Sequence, residues 1–132
     1  MLAGWDEGRS LAWISKKNPL GQIALGVIRF ENPPAARAYF GFAIDLLRKR
    51  DINLGDGNST SREVKLRWAD QAVRSDSKRM GRASAPSLPV TILLIRSGPL
   101  VFEWTWQGIH PDIAWAERLL DLFFAGTPSP RR

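Results

Sequence analysis

The 132-residue sequence contains no cysteine and only one histidine. Without cysteine there is no disulfide framework, no thiolate zinc site, no iron–sulfur cluster and no thiol nucleophile. A single histidine excludes every metal site built from several imidazoles. No run of 18 or more apolar residues occurs, so the chain encodes no membrane-spanning helix. The longest largely aliphatic run, Val90 to Ile95, has the length of a strand. The start lacks the basic, apolar and small-residue order of a signal peptide. Two compartments fit: an extracytoplasmic mature form whose signal has been removed, which is the expectation here, or the cytoplasm.

Motifs that cradle phosphate or activate a nucleophile are missing too. There is no Walker A pattern, no G-x-G-x-x-G and no G-x-S-x-G. Gly55-Asp56-Gly57 sits in a polar stretch without a strand-to-helix context. As a calcium loop starting at Asp51, the chain places Gly55 where an oxygen ligand belongs and Arg62 where the bidentate carboxylate belongs. No cofactor is expected. His110 precedes a proline at a helix start, where capping or solvent exposure is its ordinary role. Glu103, between Phe102 and Trp104, is the most interesting carboxylate, and Arg29 or Arg96 is its expected partner. No catalytic residue is assigned, and the chain reads as a non-enzyme.

What is present is a basic, tryptophan-rich chain: six Trp, 44% hydrophobic residues and a net charge of +6. The length suits one domain, with a folded core over residues 9–126 and a flexible tail over 127–132. Residues 1–66 hold ten basic and seven acidic side chains, and residues 67–132 hold nine and six, so no tail carries the excess. The segment with Arg74, Lys78, Arg79 and Arg82 is the candidate polyanion-binding cluster.

Period-two alternation predicts strands at Leu11–Lys17, Gln22–Glu31 and Val64–Ala69, the last continuing as far as Val73. It also predicts a hairpin of Val90–Arg96 and Leu100–Gln107 around Ser97-Gly98-Pro99. Asn32 caps a helix opened by Pro33, with an apolar stripe of Ala36, Tyr39, Phe40, Ala43 and Leu47. Arg48-Lys49-Arg50 is read as closing that helix against its negative end. Residues 51–62 read as a loop, and Ser75–Pro89 as a long loop or hairpin tip. A second helix follows His110-Pro111-Asp112 and stops at Gly126.

The expected class is α+β. A central antiparallel sheet of about five strands carries two helices in the order β-β-α-β-β-β-α. A two-residue turn in the hairpin would put Thr91, Leu93, Ile95, Phe102, Trp104 and Trp106 on one face. Both faces are then largely apolar, so both need cover. One helix on each side, a three-layer α/β/α sandwich, is the expected arrangement. Alternatively both helices share one side, and a loop, subunit or ligand covers the Trp-rich face.

Two stretches carry a family resemblance: Gly21 to Phe40, where a strand enters the Ala35-Ala36-Arg37-Ala38-Tyr39-Phe40 helix, and Ala69-Asp70-Gln71-Ala72-Val73. With Ile95-Arg96-Ser97-Gly98-Pro99-Leu100-Val101-Phe102 they resemble the PsbP/Mog1/LpqN-like group of small α/β/α domains. The resemblance spans residues 10–125 and implies an accessory or binding role with no shared catalytic residues. The lipidated cysteine of the group's lipoproteins is missing here. The expected function is therefore a non-catalytic domain that docks onto a protein partner or forms a homo-oligomer. Trp104, Trp106, Trp68 and Trp13 are its candidate contact residues. Alternatives are a basic nucleic-acid-binding domain and a carrier of small apolar ligands.

Overall fold

The computed structural model describes residues 5–14, 21–54, 59–79 and 88–125. Six strands and two helices follow in the order β1 (Trp5–Ile14), β2 (Gln22–Phe30), α1 (Pro33–Leu54), β3 (Ser59–Glu63), β4 (Gln71–Arg79), β5 (Leu88–Ser97), β6 (Leu100–Gln107) and α2 (Ile113–Phe124). The strands form one antiparallel sheet in the spatial order β1-β2-β6-β5-β4-β3. The class is α+β as expected, with six strands instead of about five. The order β-β-α-β-β-β-β-α replaces the expected one.

The extra strand is β3, which begins inside the stretch 51–62 expected as loop. Val64 to Ala69 does not form a strand; it is the turn between β3 and β4, where Trp68 has a φ of 72°. A bulky residue in the left-handed region is strained, so alternation alone gave the wrong element there. The polar segment from Ser75, expected as loop, is most of β4. There Ser75 and Ser77 are buried, paired with Ile92 and Val90 of β5 on one side and with Ser61 and Ser59 of β3 on the other. Polar composition hid the strand because its outer neighbour β3 is polar as well. Helix α1 runs on to Leu54, so Arg48-Lys49-Arg50 lies inside it and the last turn holds no basic residue. The terminal tail and Gly126 lie outside the described residues.

The first strand starts at Trp5, six residues before the expected Leu11–Lys17 and ahead of the expected core start at residue 9, and Ser15–Lys17 lie outside the described residues. Several local signals were followed. Asn32 Oδ1 accepts from the Ala35 N–H at 2.9 Å, and Asp112 Oδ1 accepts from the Trp115 N–H at 2.9 Å, so each helix has its side-chain cap. Gly98 and Pro99 form the two-residue turn of the β5–β6 hairpin, with Gly98 at a φ of 58°. In that register Thr91, Leu93 and Ile95 stand opposite Trp106, Trp104 and Phe102.

These residues, with Ala72, pack against Ala116, Leu120 and Phe124 of α2. The alternate residues Val73, Leu94 and Val101 pack against Phe30, Ala36, Phe40 and Leu47 on the other side. One helix thus covers each face. Six strands span about 24 Å between their outer axes, while a helix is only about 10–12 Å thick. One helix cannot cover a face of this width, and β1 stays largely uncovered, with Trp13 against Trp115 of α2. Every described side chain of β1 from Asp6 to Ile14 is exposed.

Candidate docking surface

The uncovered part of the sheet is built by β1 and β2. Their register runs unbroken from Gly8 opposite Ile28 to Ile14 opposite Gln22, after an irregularity between Trp5 and Glu7. On the α2 side of this ribbon stand Glu7, Arg9, Leu11 and Trp13 beside Ile23, Leu25, Val27 and Arg29. On the α1 side stand Gly8, Ser10, Ala12 and Ile14 beside Ala24, Gly26 and Ile28. One side of the ribbon is apolar with a charged end, and the other carries mostly small side chains.

An open groove of about 680 Å³ follows the first side, with Leu11, Leu25, Val27, Leu100 and Phe123 as its apolar lining. Helix α2 supplies the wall. Phe123 lines the groove, and about two helical turns earlier Trp115 meets Trp13 of β1 edge-on at 5.5 Å. The exposure is large for such side chains: Leu11 59%, Phe123 50% and Leu122 71%. Contiguous apolar surface of this kind marks an interaction site more often than a gap in the core. The groove's far end is ionic, where Arg29 donates to Asp6 at 2.8 Å and to Glu7 at 3.3 Å.

The tryptophans expected at a contact surface have different positions. Trp104 and Trp106 are 1% and 0% exposed under α2, so they are core residues and present no surface. They stack at 5.5 Å, and neither indole N–H has an acceptor among the described residues. Trp68 is half-buried at the opposite end, stacked on Phe124 at 5.1 Å and donating to Asp121 Oδ1 at 2.6 Å. Trp13 is the most exposed of the four, stacked at 6.5 Å on Trp104. The four rings therefore do not form one patch. Leu122 and Phe123 carry the exposed area that the tryptophans were expected to supply. A sequence signal existed: Phe123 falls on the apolar stripe of α2, and Leu122 lies seven residues after Trp115.

Of the basic cluster, Arg74 forks onto Asp76 at 2.8 and 3.1 Å. Asp76 also accepts from Thr91 at 2.7 Å and lies 3.6 Å from Arg62. Burial pushes the Asp76 carboxyl up, but the bonds from Arg74 and Thr91 and the two guanidinium charges outweigh it and hold it below the usual range. The Lys78 and Arg79 side chains and Arg82 lie outside the described residues.

Glu103 does not meet Arg29 or Arg96. It lies under α1 and accepts a hydrogen bond from the Tyr39 hydroxyl. Burial and the adjacent carboxylate push the Tyr39 phenol well above its ordinary value, so it stays a donor. Arg29 stands on the opposite face. Arg96, 7% exposed, donates to Gln71, Asp70 and the Gly98 carbonyl, pinning the hairpin turn to the start of β4. A second pocket of about 430 Å³ lies between Phe40 and Ile44 of α1 and the start of β4. Among the described residues no group of three or more His, Cys, Asp or Glu could hold a metal ion. No helix is long and apolar enough to cross a membrane, again among the described residues.

Comparison with protein-family models, with curated proteins and with solved structures finds no match to this chain.

Proposed function

We propose that the chain is a non-catalytic accessory domain that docks onto a protein partner, and that it does so through the groove between α2 and the β1–β2 ribbon. One observation carries the reading: Leu11 and Phe123, two large apolar side chains, are each at least half exposed along a single open groove, with Leu122 exposed beside Phe123 in the sequence of α2. Burying such area in a partner is favourable at about 25 cal/mol per Å² before the costs of association. An accessory role is also what the PsbP/Mog1/LpqN-like resemblance implies. A carrier of small apolar ligands would want an enclosed cavity, and this groove is open along β1. For the nucleic-acid alternative, Arg74 is already held by Asp76.

Site-specific photocrosslinking in the native cell tests the proposal. A benzoylphenylalanine replacing Phe123 should give one discrete adduct with a partner protein. The same probe at Lys49, on the outer face of α1, should give none. A chain that is partnerless in native extract, or that yields equal adducts from both positions, overturns it.

A further inference from the structure

The backbone edge of β1 borders the groove and shares Arg9 and Leu11 with it, and the sequence of that edge says what it would pair with. Among the described residues no strand lies outside β1, so a ladder edge of unpaired N–H and C=O groups faces outward over Trp5–Ile14. The irregularity at Trp5/Glu7, together with Asp6 and Glu7, blunts the first part of that edge. From Gly8 to Ile14 the strand is regular and Arg9 is its only charge.

The geometry points to a second copy of this chain as the occupant, with the two β1 strands antiparallel about a two-fold axis through Leu11. Side chains directly opposite one another share a face in an antiparallel pair, so the axis must pass through a residue position. An axis at Arg9 sets like charges against each other. One at Ser10 sets Glu7 against Trp13 and Asp6 against Ile14, and one at Gly8 runs into the irregularity. An axis at Ala12 uses only the five residues from Ser10 to Ile14. The axis at Leu11 uses all seven from Gly8 to Ile14. Leu11 meets its own copy, and Arg9 of each chain meets Trp13 of the other, a cation over an aromatic face. On the reverse side Gly8 meets Ile14 and Ser10 meets Ala12, with no charge and no crowding. Read along one face, Arg9-x-Leu11-x-Trp13 is complementary to itself when reversed. The Arg9 side chain is 82% exposed and, among the described residues, is held by Glu7 at 3.4 Å, a solvated pair that leaves it able to take this position. Helix α2 packs over the middle of the sheet, inward of β1, and does not obstruct the edge. The assembly is an isologous dimer with one continuous sheet.

Because the chain has no cysteine, single-cysteine variants report the register directly. Under mild oxidation Leu11→Cys should give a disulfide dimer. Arg9→Cys alone should not, because the two sites then lie four residues apart along the ladder, beyond disulfide reach. Mixing Arg9→Cys with Trp13→Cys should restore the crosslink. Light scattering of the unmodified protein should give twice the chain mass, and Leu11→Lys should weaken association at least tenfold with its circular dichroism unchanged. A monomer at about 100 μM, or self-crosslinking of Arg9→Cys as fast as Leu11→Cys, overturns the proposal. The outcome is separable from the docking reading, because the adduct at position 123 is scored on the other protein and not on chain mass.

Discussion

The two edges of the sheet are finished in opposite ways. At the β3 edge the last strand has five residues, Ser59–Glu63, and its connection to β4 is fastened to α2. Trp68 stacks on Phe124 and donates to Asp121, while the Arg67 backbone N–H donates to Glu117 at 3.1 Å and its side chain to Asp121 at 3.2 Å. Farther along, Asp70 accepts from the Gly98 N–H at 2.7 Å, and Arg96 ties the same corner. At the β1 edge the last strand has ten residues and every described side chain from Asp6 onward is exposed. Short polar edges with fastened turns resist strand addition, whereas a long edge rich in apolar residues invites it. The difference fastens one edge to the core and leaves the other uncovered, where the proposed contacts are made.

Trp104 and Trp13 belong to one stack but lie on opposite sides of that boundary, so substituting each should separate the roles most strongly. Trp104→Ala removes a buried ring and should cost about 3–5 kcal/mol. Trp13→Ala, at the exposed end of the stack, should cost about 1 kcal/mol, mostly from lost aromatic contact. Urea unfolding followed by far-UV circular dichroism measures both, and equal losses would erase the distinction. Arg96→Ala should come next, at about 1–3 kcal/mol, since it leaves polar groups of Gln71 and Gly98 without their donor. A loss near zero would mean that the closed corner is not fastened as described.

The Asp76 group sharpens the comparison by pH. Its carboxyl is held below the ordinary value of about 3.9 in the folded state. Its contribution to stability is therefore full above that value, and it fades as pH falls through the lower, folded one. Asp76→Asn should be less stable than the parent at neutral pH, and the gap should close in acid below about pH 4. A gap independent of pH would mean that charge plays no part. At the open edge the Asp6–Arg29 and Glu7–Arg29 pairs are solvated and contribute little to stability.

Much of the fold was legible because local and tertiary demands agreed. The caps at Asn32 and Asp112, the Gly98–Pro99 turn and the alternation of β5 and β6 each follow from side-chain chemistry a few residues apart. Where they disagreed, the reading failed. Val64, Leu66 and Trp68 alternate like a strand, yet Trp68 takes a left-handed backbone because its ring is anchored by Asp121 and Phe124, more than fifty residues away. Ser75 and Ser77 look like loop, yet they are strand residues buried by β5, a long-range demand that composition does not carry. The candidate surface was half legible for the same reason. Counting tryptophans located the aromatic row but not its depth. Depth follows from the width of the sheet and the position of α2, so Trp104 became core and Trp13 stayed the most exposed of the four.

The smallest effect on stability should accompany one of the largest on recognition. Leu122 is 71% exposed and directly precedes the groove-lining Phe123, so Leu122→Lys removes little buried area. Lysine is also at least as compatible with helix as most residues, and its stem can lie along the apolar wall with the ammonium in water. Unfolding free energy should then stay within about 0.5 kcal/mol of the parent. An ammonium carried into an apolar contact must lose its water without gaining a partner, which is far more costly than the leucine contact it replaces. Loss of the position-123 photoadduct in Leu122→Lys, with stability unchanged, is the expected result. Retention of the adduct at full yield would place the partner elsewhere on the molecule and return the groove to a gap left by a helix too narrow for its sheet.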